Sequence, residues 1–149
     1  MTYPEAAVAD AIGSRFFASQ INTQEEANAG LVHRFRQTWT PDLRVLDPEG
    51  VELYRWNGYL PPYEFLAQLL VAEAHAWLRL GDNQRAADGF AAMLDRHPTA
   101  ACAPEAQYFL AVARYKDSHE ARDLLGGWHQ LRGRYPESTW RIRQSFSEP

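Results

Sequence analysis

Apolar residues fall at short, mixed intervals in the first part of the chain and settle into a helical period further on. In "PEAAVADAIGSRF", Val8, Ile12 and Phe16 lie on one helical face. Pro4 suits a first turn and Gly13 a stop, which predicts a short helix over about 4–13. "FFASQI" is aromatic and β-branched at its ends and is closed by Asn22, so a strand is predicted over about 16–21. Thr23 and Glu26 have capping-box spacing and predict a second helix. Its stripe is Ala27, Leu31 and Phe35, with Ala29 and Val32 beside it, and its end falls near Gln37, before Trp39.

"DLRVL" and "VELYRW" alternate apolar and polar positions around Asp47-Pro48-Glu49-Gly50, where Pro fixes φ and Gly permits the reversal; this predicts a β-hairpin ended by Gly58. Pro61-Pro62 then opens a long helix in which Phe65, Leu66, Leu69, Leu70, Ala74 and Trp77 keep helical period as far as Arg79-Leu80-Gly81-Asp82. Beyond it, "NQRAADGFAAMLDRHP", "APEAQYFLAVARYKD", "SHEARDLLGGWHQLRGRYP" and "STWRIRQSF" all read as helical, divided by Pro, Gly, Asp and Ser.

Ala74, Trp77, Gly81, Ala86, Phe90 and Pro98 run small, aromatic, glycine, small, aromatic, proline. That order resembles a tetratricopeptide repeat, in which small residues let two antiparallel helices approach and aromatic residues fill the space between them. A looser copy ends at Pro136, with Tyr115 and Trp128 recurring and Ser118-His119 at the glycine position. The two prolines are 38 residues apart, against a period of ~34 for the repeat. "STWRIRQSF" is expected to close the last face of the array. A plain pack of helical hairpins predicts the same antiparallel helices; a true array adds a concave groove for a peptide.

With 46% hydrophobic, 13% aromatic and 23% charged residues among 149, the chain is expected to fold around a packed core. Its net charge of −4 gives no electrostatic reason to bind a polyanion, so no nucleic-acid partner is expected. Arg132, Arg134, Arg141 and Arg143 read as a solvated helix face. No apolar run has the ~18 residues of a membrane span, and Thr-Tyr-Pro-Glu after Met1 lacks the features of a leader, so a cytoplasmic location is the expectation and no membrane partner is expected.

The one cysteine, Cys102, has no partner for an internal disulfide and reads as a small apolar filler near a helix start. His33, His75, His97, His119 and His129 lack metal-site spacing, no glycine-rich phosphate loop is present, and no serine sits in a nucleophile elbow. No cofactor or metal is expected. Gly126-Gly127 is read as a close approach between helices.

The stretch "FRQTWTPDLRVLDPEGVELYRWNGYLPPYEFLAQL" resembles the carboxyl-terminal half of a thioredoxin-like domain: helix, Trp-Thr-Pro, strand, turn, strand, Gly-Tyr, then a proline-opened helix. The resemblance spans roughly residues 3 to 80 and implies that Thr40-Pro41 is a cis peptide in a substrate-facing loop that also carries Trp39. In the family this loop faces a Cys-x-x-Cys pair. Here the segment that would hold the pair is missing, and "MTYPEAAVADAI" resembles the part of the family's domain just after the cysteine-bearing helix. Asp42 also stands where the family more often has a neutral residue.

As written, the chain lacks the dithiol that thiol–disulfide exchange needs. The missing central strand would leave open strand edges, to be closed by the 16–21 strand moving against 43–47 in a three-stranded sheet or by a second copy of the chain. Self-association as a homodimer is therefore expected.

The expectation is an α+β protein: an incomplete thioredoxin-like unit over 1–66, with about three strands, and a tetratricopeptide-like antiparallel helical unit over 67–149, joined through the helix starting near 61. Its expected function is that of a redox-inactive module for binding a protein or peptide partner. The alternative is the carboxyl-terminal part of a thiol–disulfide oxidoreductase whose Cys-x-x-Cys segment lies upstream. Thr40, Pro41 and Trp39 form the expected binding loop. Trp56, Tyr59, Trp77 and Tyr115 are candidates for a groove, and the rings nearest the loop, Trp39, Trp56, Tyr59 and Tyr63, read first as core packing.

Overall fold

The computed structural model describes residues 2–147, so Met1, Glu148 and Pro149, at the ends of the two expected units, lie outside it. In chain order it contains α1 (Ala6–Arg15), a 3₁₀ turn (Glu26–Asn28), α2 (Ala29–Arg34), β1 (Asp42–Leu46), β2 (Glu52–Asn57), α3 (Pro62–Leu80), α4 (Asn83–Arg96), α5 (Ala103–Ser118), α6 (Ala121–Arg134), α7 (Thr139–Ile142) and a closing 3₁₀ turn (Ser145–Ser147).

The two strands pair antiparallel, with Leu43 opposite Trp56 and Val45 opposite Tyr54. The turn between them forms because Asp47 serves it twice: its carbonyl accepts from Gly50 N at 2.9 Å and its side chain from Val51 N at 2.8 Å. Gly50 has φ +79°, a conformation that calls for glycine, with the Arg34 guanidinium lying beside it. Strand alternation puts Leu43, Val45, Tyr54 and Trp56 on one face. Leu43 and Trp56 pack there around buried Val8, Phe65 and Leu69.

Helix α3 starts with a proline in its first turn and ends at Gly81, in the left-handed conformation at φ +86°. Gly81 N donates to Leu78 O and Asp82 N to Trp77 O, which closes the carbonyls of the last turn. The helix is apolar on two faces. Phe65 and Leu69 meet α1 and the hairpin, whereas Ala67, Leu70, Val71 and Ala74 join a larger core with Ala86, Phe90, Met93, Leu94, Ala103, Ala106 and Leu110. One helix thus ties both clusters together.

Helices α3 to α6 fold as two successive antiparallel hairpins. In the first, the start of α3 meets the end of α4, where Tyr63 packs on His97 at 4.8 Å, and further along a Cβ on Gly89 would lie 3.0 Å from that of Ala74. The second repeats this approach between Ala111 and Gly127. These residues recur 37 and 38 positions after Ala74 and Gly89, and His119, at φ +59°, ends α5 as Gly81 ends α3. Short α7 packs on α5 and α6, with Trp140 against Tyr108 and Phe109 and the Arg143 guanidinium 4.0 Å from the Trp140 ring centre.

The first third departs from expectation. Residues 16–21 form no strand, so the sheet has two strands and not three, and closure of 16–21 against 43–47 does not occur. Phe17 is fully exposed. The reason is that a strand is stabilised by a neighbour's backbone, and this segment has none among the described residues. Helix α1 continues past Gly13 to Arg15. The second helix begins as a 3₁₀ turn at Glu26 and ends at Arg34. The Thr23–Glu26 capping box does not form; Asn22 holds the turn, its Oδ1 accepting from Gln24 N at 3.1 Å and its Nδ2 donating to Glu25 at 3.1 Å. No residue between Val8 and Leu53 is buried.

Candidate functional site

The loop before β1 is built from three exposed or half-exposed residues. Trp39 is 70% exposed, Thr40 is exposed, and the Thr40–Pro41 peptide is cis. Gln37 Nε2 donates to Trp39 O at 2.6 Å, and Gly58 N donates to Pro41 O at 2.9 Å, pinning the loop to the end of the hairpin.

Asp42 follows at the base of the loop with a side chain only 6% exposed. It is not a free acid. Strand alternation puts Asp42 and Arg44 on one face and Arg55 across from Arg44, so Arg44 Nη2 reaches Asp42 Oδ2 at 2.8 Å and Arg55 Nε reaches Oδ1 at 3.1 Å. Arg44 also donates to Phe35 O at 2.7 Å, pairs with Glu52, and lies 5.0 Å from the centre of the Phe35 ring. Burial alone would lower the Arg44 pKa, but the hydrogen bonds and charges of Asp42 and Glu52 hold it above its usual value. The charged face of the hairpin is therefore a fixed ion-pair network under the loop.

The outer edge of β1 is open. The Gly58–Pro41 bond sets the phase of the ladder, so Leu43 and Val45 turn their backbone groups toward β2 while Asp42 and Arg44 turn theirs away. Among the described residues, no group pairs with the backbone N–H or C=O of Asp42 or Arg44.

The sulfur lies elsewhere. Cys102 is buried at the start of α5 in the helical core, and burial, with Glu105 and Glu64 adding to it, pushes its thiol up to about 12. A thiol held protonated is a poor nucleophile.

The four groove candidates do not converge. Trp56 packs on Phe65 at 5.9 Å with its Nε1 buried and unpaired, and Tyr59 stands exposed just past Gly58. Trp77 lies in the last turn of α3 beneath the Arg85 guanidinium at 4.7 Å, and Tyr115 lies in the last turn of α5. At ~1.5 Å per residue, the length of α3 separates Trp77 from Tyr59 by more than 20 Å. Asn83 Nδ2, donating to Lys116 O at 3.3 Å, shows that the Trp77 and Tyr115 ends adjoin. Tyr63 packs its ring on His97 and exchanges a 3.0 Å hydrogen bond with Thr99. A shallow hollow of about 560 Å³ between the Thr23–Asn28 turn and α2 is lined by Glu25, Val32, His33 and Arg36, apart from the Trp39–Pro41 loop.

A cluster that sequence reasoning missed joins the hairpin to the helices. Tyr54 OH donates to Glu105 Oε1 at 3.0 Å and accepts from Gln68 Nε2 at 3.0 Å, while His75 Nε2 lies 2.8 Å from the same Glu105 oxygen. The Tyr54 and His75 rings stack at 4.7 Å. Burial, with the Glu105 charge adding to it, drives the Tyr54 hydroxyl far above its ordinary pKa, so it stays a donor. The signal in the sequence is His75 itself, which with Glu73 interrupts the otherwise apolar run Leu69–Ala76. Among the described residues, no group of three or more His, Cys, Asp or Glu is placed to hold a metal ion.

No curated protein and no solved structure matches the chain. Residues 3–72 match the family model for a thioredoxin-like domain, a stretch that runs from the first turn before α1 into the middle of α3. The chain therefore begins with a thioredoxin-like domain, and a helical region follows it.

Proposed function

We propose that this chain binds protein and performs no thiol–disulfide exchange of its own, and that it associates with a second copy of itself. The carrying observation is the pairing of an exposed Trp39–Thr40–Pro41 loop with an open β1 edge, while the one thiol is buried in the helical core with a pKa near 12. Exchange needs an attacking thiolate and a resolving partner, and a sheet edge needs only a backbone to bind. We read the chain as dividing within α3, at about residue 66, with the helices beyond it as a tetratricopeptide-like array. The recurrence of Ala74, Gly81 and Gly89 as Ala111, His119 and Gly127 supports the array. A single cysteine fits a cytoplasmic setting, and among the described residues no helix is long and apolar enough to cross a membrane.

Insulin reduction with dithiothreitol tests the chemistry: the chain should stay at background, and clear turnover overturns the reading. Sedimentation at ~100 μM tests the association, expected to give twice the 17.0 kDa mass; a monomer there overturns it. The open edge also favours a second reading, in which residues encoded upstream supply the absent strand and a Cys-x-x-Cys pair. Translating the DNA upstream in frame separates the two, since a strand and two cysteines there would sink the non-enzymatic reading.

A further inference from the structure

We infer that two copies pair through the free edges of their β1 strands, antiparallel about a two-fold axis at Leu43, making a four-stranded sheet in the order β2-β1-β1-β2. This rests on the self-association proposed above and gives it a geometry. The groups that point outward from β1 belong to Asp42 and Arg44, and an antiparallel partner must present its own outward groups to them. Three symmetric registers satisfy that condition, and centring on Asp42 sets that residue against the partner's Asp42, two like charges directly opposed. Centring on Arg44 sets that residue against the partner's Arg44, two like charges directly opposed. Centring on Leu43 sets Asp42 against the partner's Arg44 and Arg44 against the partner's Asp42, each couple exchanging both backbone hydrogen bonds. Charge therefore selects the register centred on Leu43.

The same register suits the other face. Leu43 is half-buried against the cluster of Val8, Phe65 and Leu69, and at the axis it meets the partner's Leu43, so the apolar face continues across the joint. Thr40 comes opposite the partner's Leu46, which brings exposed Trp39 beside the partner's turn and covers two of the larger apolar side chains left in solvent. Nothing within the strand blocks the approach: β1 carries no lysine or proline, and the ladder's one bulge, beside its far end at Val45 and Leu46, places the extra residue, Leu53, in β2.

Cross-linking and hydrogen exchange test the pairing. Directly opposed residues of a non-hydrogen-bonded antiparallel pair have Cα atoms ~4.5 Å apart, within disulfide reach, so Leu43→Cys should give a covalent dimer under mild oxidation. Arg44→Cys, offset from its own counterpart by two positions, should not, and the unmodified chain with its buried Cys102 should not. In the unmodified chain the amides of Asp42 and Arg44 should exchange at least ~10-fold more slowly at ~100 μM than at ~1 μM, while those of Leu43 and Val45, paired to β2, change little. Cross-linking through Arg44→Cys and not Leu43→Cys overturns the register. A dimer by sedimentation without slowed exchange at Asp42 and Arg44 overturns the edge pairing and leaves self-association standing. A monomer at ~100 μM overturns both. Should Leu43→Cys fail to fold, exchange in the unmodified chain decides.

Discussion

Helix ends show how single residues tune this chain. Gly81 ends α3 at φ +86°, a conformation glycine adopts freely, whereas the matching end of α5 places His119 at φ +59°. A histidine there bears a steric cost that glycine avoids, so His119→Gly should stabilise the protein by about 0.5–1 kcal/mol, read as a higher urea midpoint with an unchanged slope. His97 makes a pH-dependent contribution. Burial, then the charge of Arg96, lowers its pKa against the opposing pull of Glu64, so the folded state resists taking up a proton that the unfolded chain accepts. Its contribution is fully present above the unfolded value of ~6.5 and is lost as pH falls through that value toward the folded one. Thermal melts should therefore show His97→Gln losing less stability than the parent between about pH 7.5 and pH 5.5.

Between elements, contact distance decides whether a glycine can be replaced. Alanine is favoured over glycine inside a helix by about 1 kcal/mol, but a Cβ on Gly127 would meet the Ala111 Cβ at 2.5 Å and its Cα at 3.1 Å. On Gly89 the approach is 3.0 Å to the Ala74 Cβ and an ordinary 3.5 Å to its Cα. Gly127→Ala should thus cost about 1–3 kcal/mol net, while Gly89→Ala should cost clearly less; chemical denaturation of the pair gives the ranking. Of the Gly126-Gly127 pair read as a close helix approach, Gly127 makes it and a Cβ on Gly126 would meet nothing within 4 Å; the approach is legible because small residues inside a helical period have few other uses. So are the hairpin, whose turn chemistry is local, and α3, whose boundaries are a proline and a left-handed glycine. The 16–21 segment misleads for the opposite reason: "FFASQI" has strand composition, but pairing depends on a neighbour that no local pattern reveals. The Tyr54–Glu105 contact is illegible on the same ground, since it spans 51 positions, and the four groove aromatics fail to converge because hydrophobic period says which face a ring occupies and not which end of the helical region.

At the scale of the whole molecule, the hairpin and the helical region are held as one body by α3 and by the Tyr54 hydroxyl. Removing that hydroxyl leaves Glu105 with His75 alone and Gln68 Nε2 without its acceptor, in a setting where solvent replaces neither fully. Tyr54→Phe should cost about 1–3 kcal/mol, and because the lost bonds run from β2 to α3 and α5, the hairpin and the helices should weaken together in one unfolding transition. The stretch between Val8 and Leu53 contrasts with this body, since it buries no residue and α2 packs on the 3₁₀ turn before it, tied to the hairpin turn by the Arg34–Gly50 hydrogen bond. Local stability follows buried contact, so amides of residues 16–40 should exchange with solvent orders of magnitude faster than those of α3 to α6, which open only with global unfolding. Tyr54→Phe should then accelerate exchange across β2 and α3 to α6 alike while leaving residues 16–40 unchanged. Acceleration confined to the hairpin would show instead that α3 does not couple the two clusters, and equal protection throughout would show that residues 16–40 are covered by a partner.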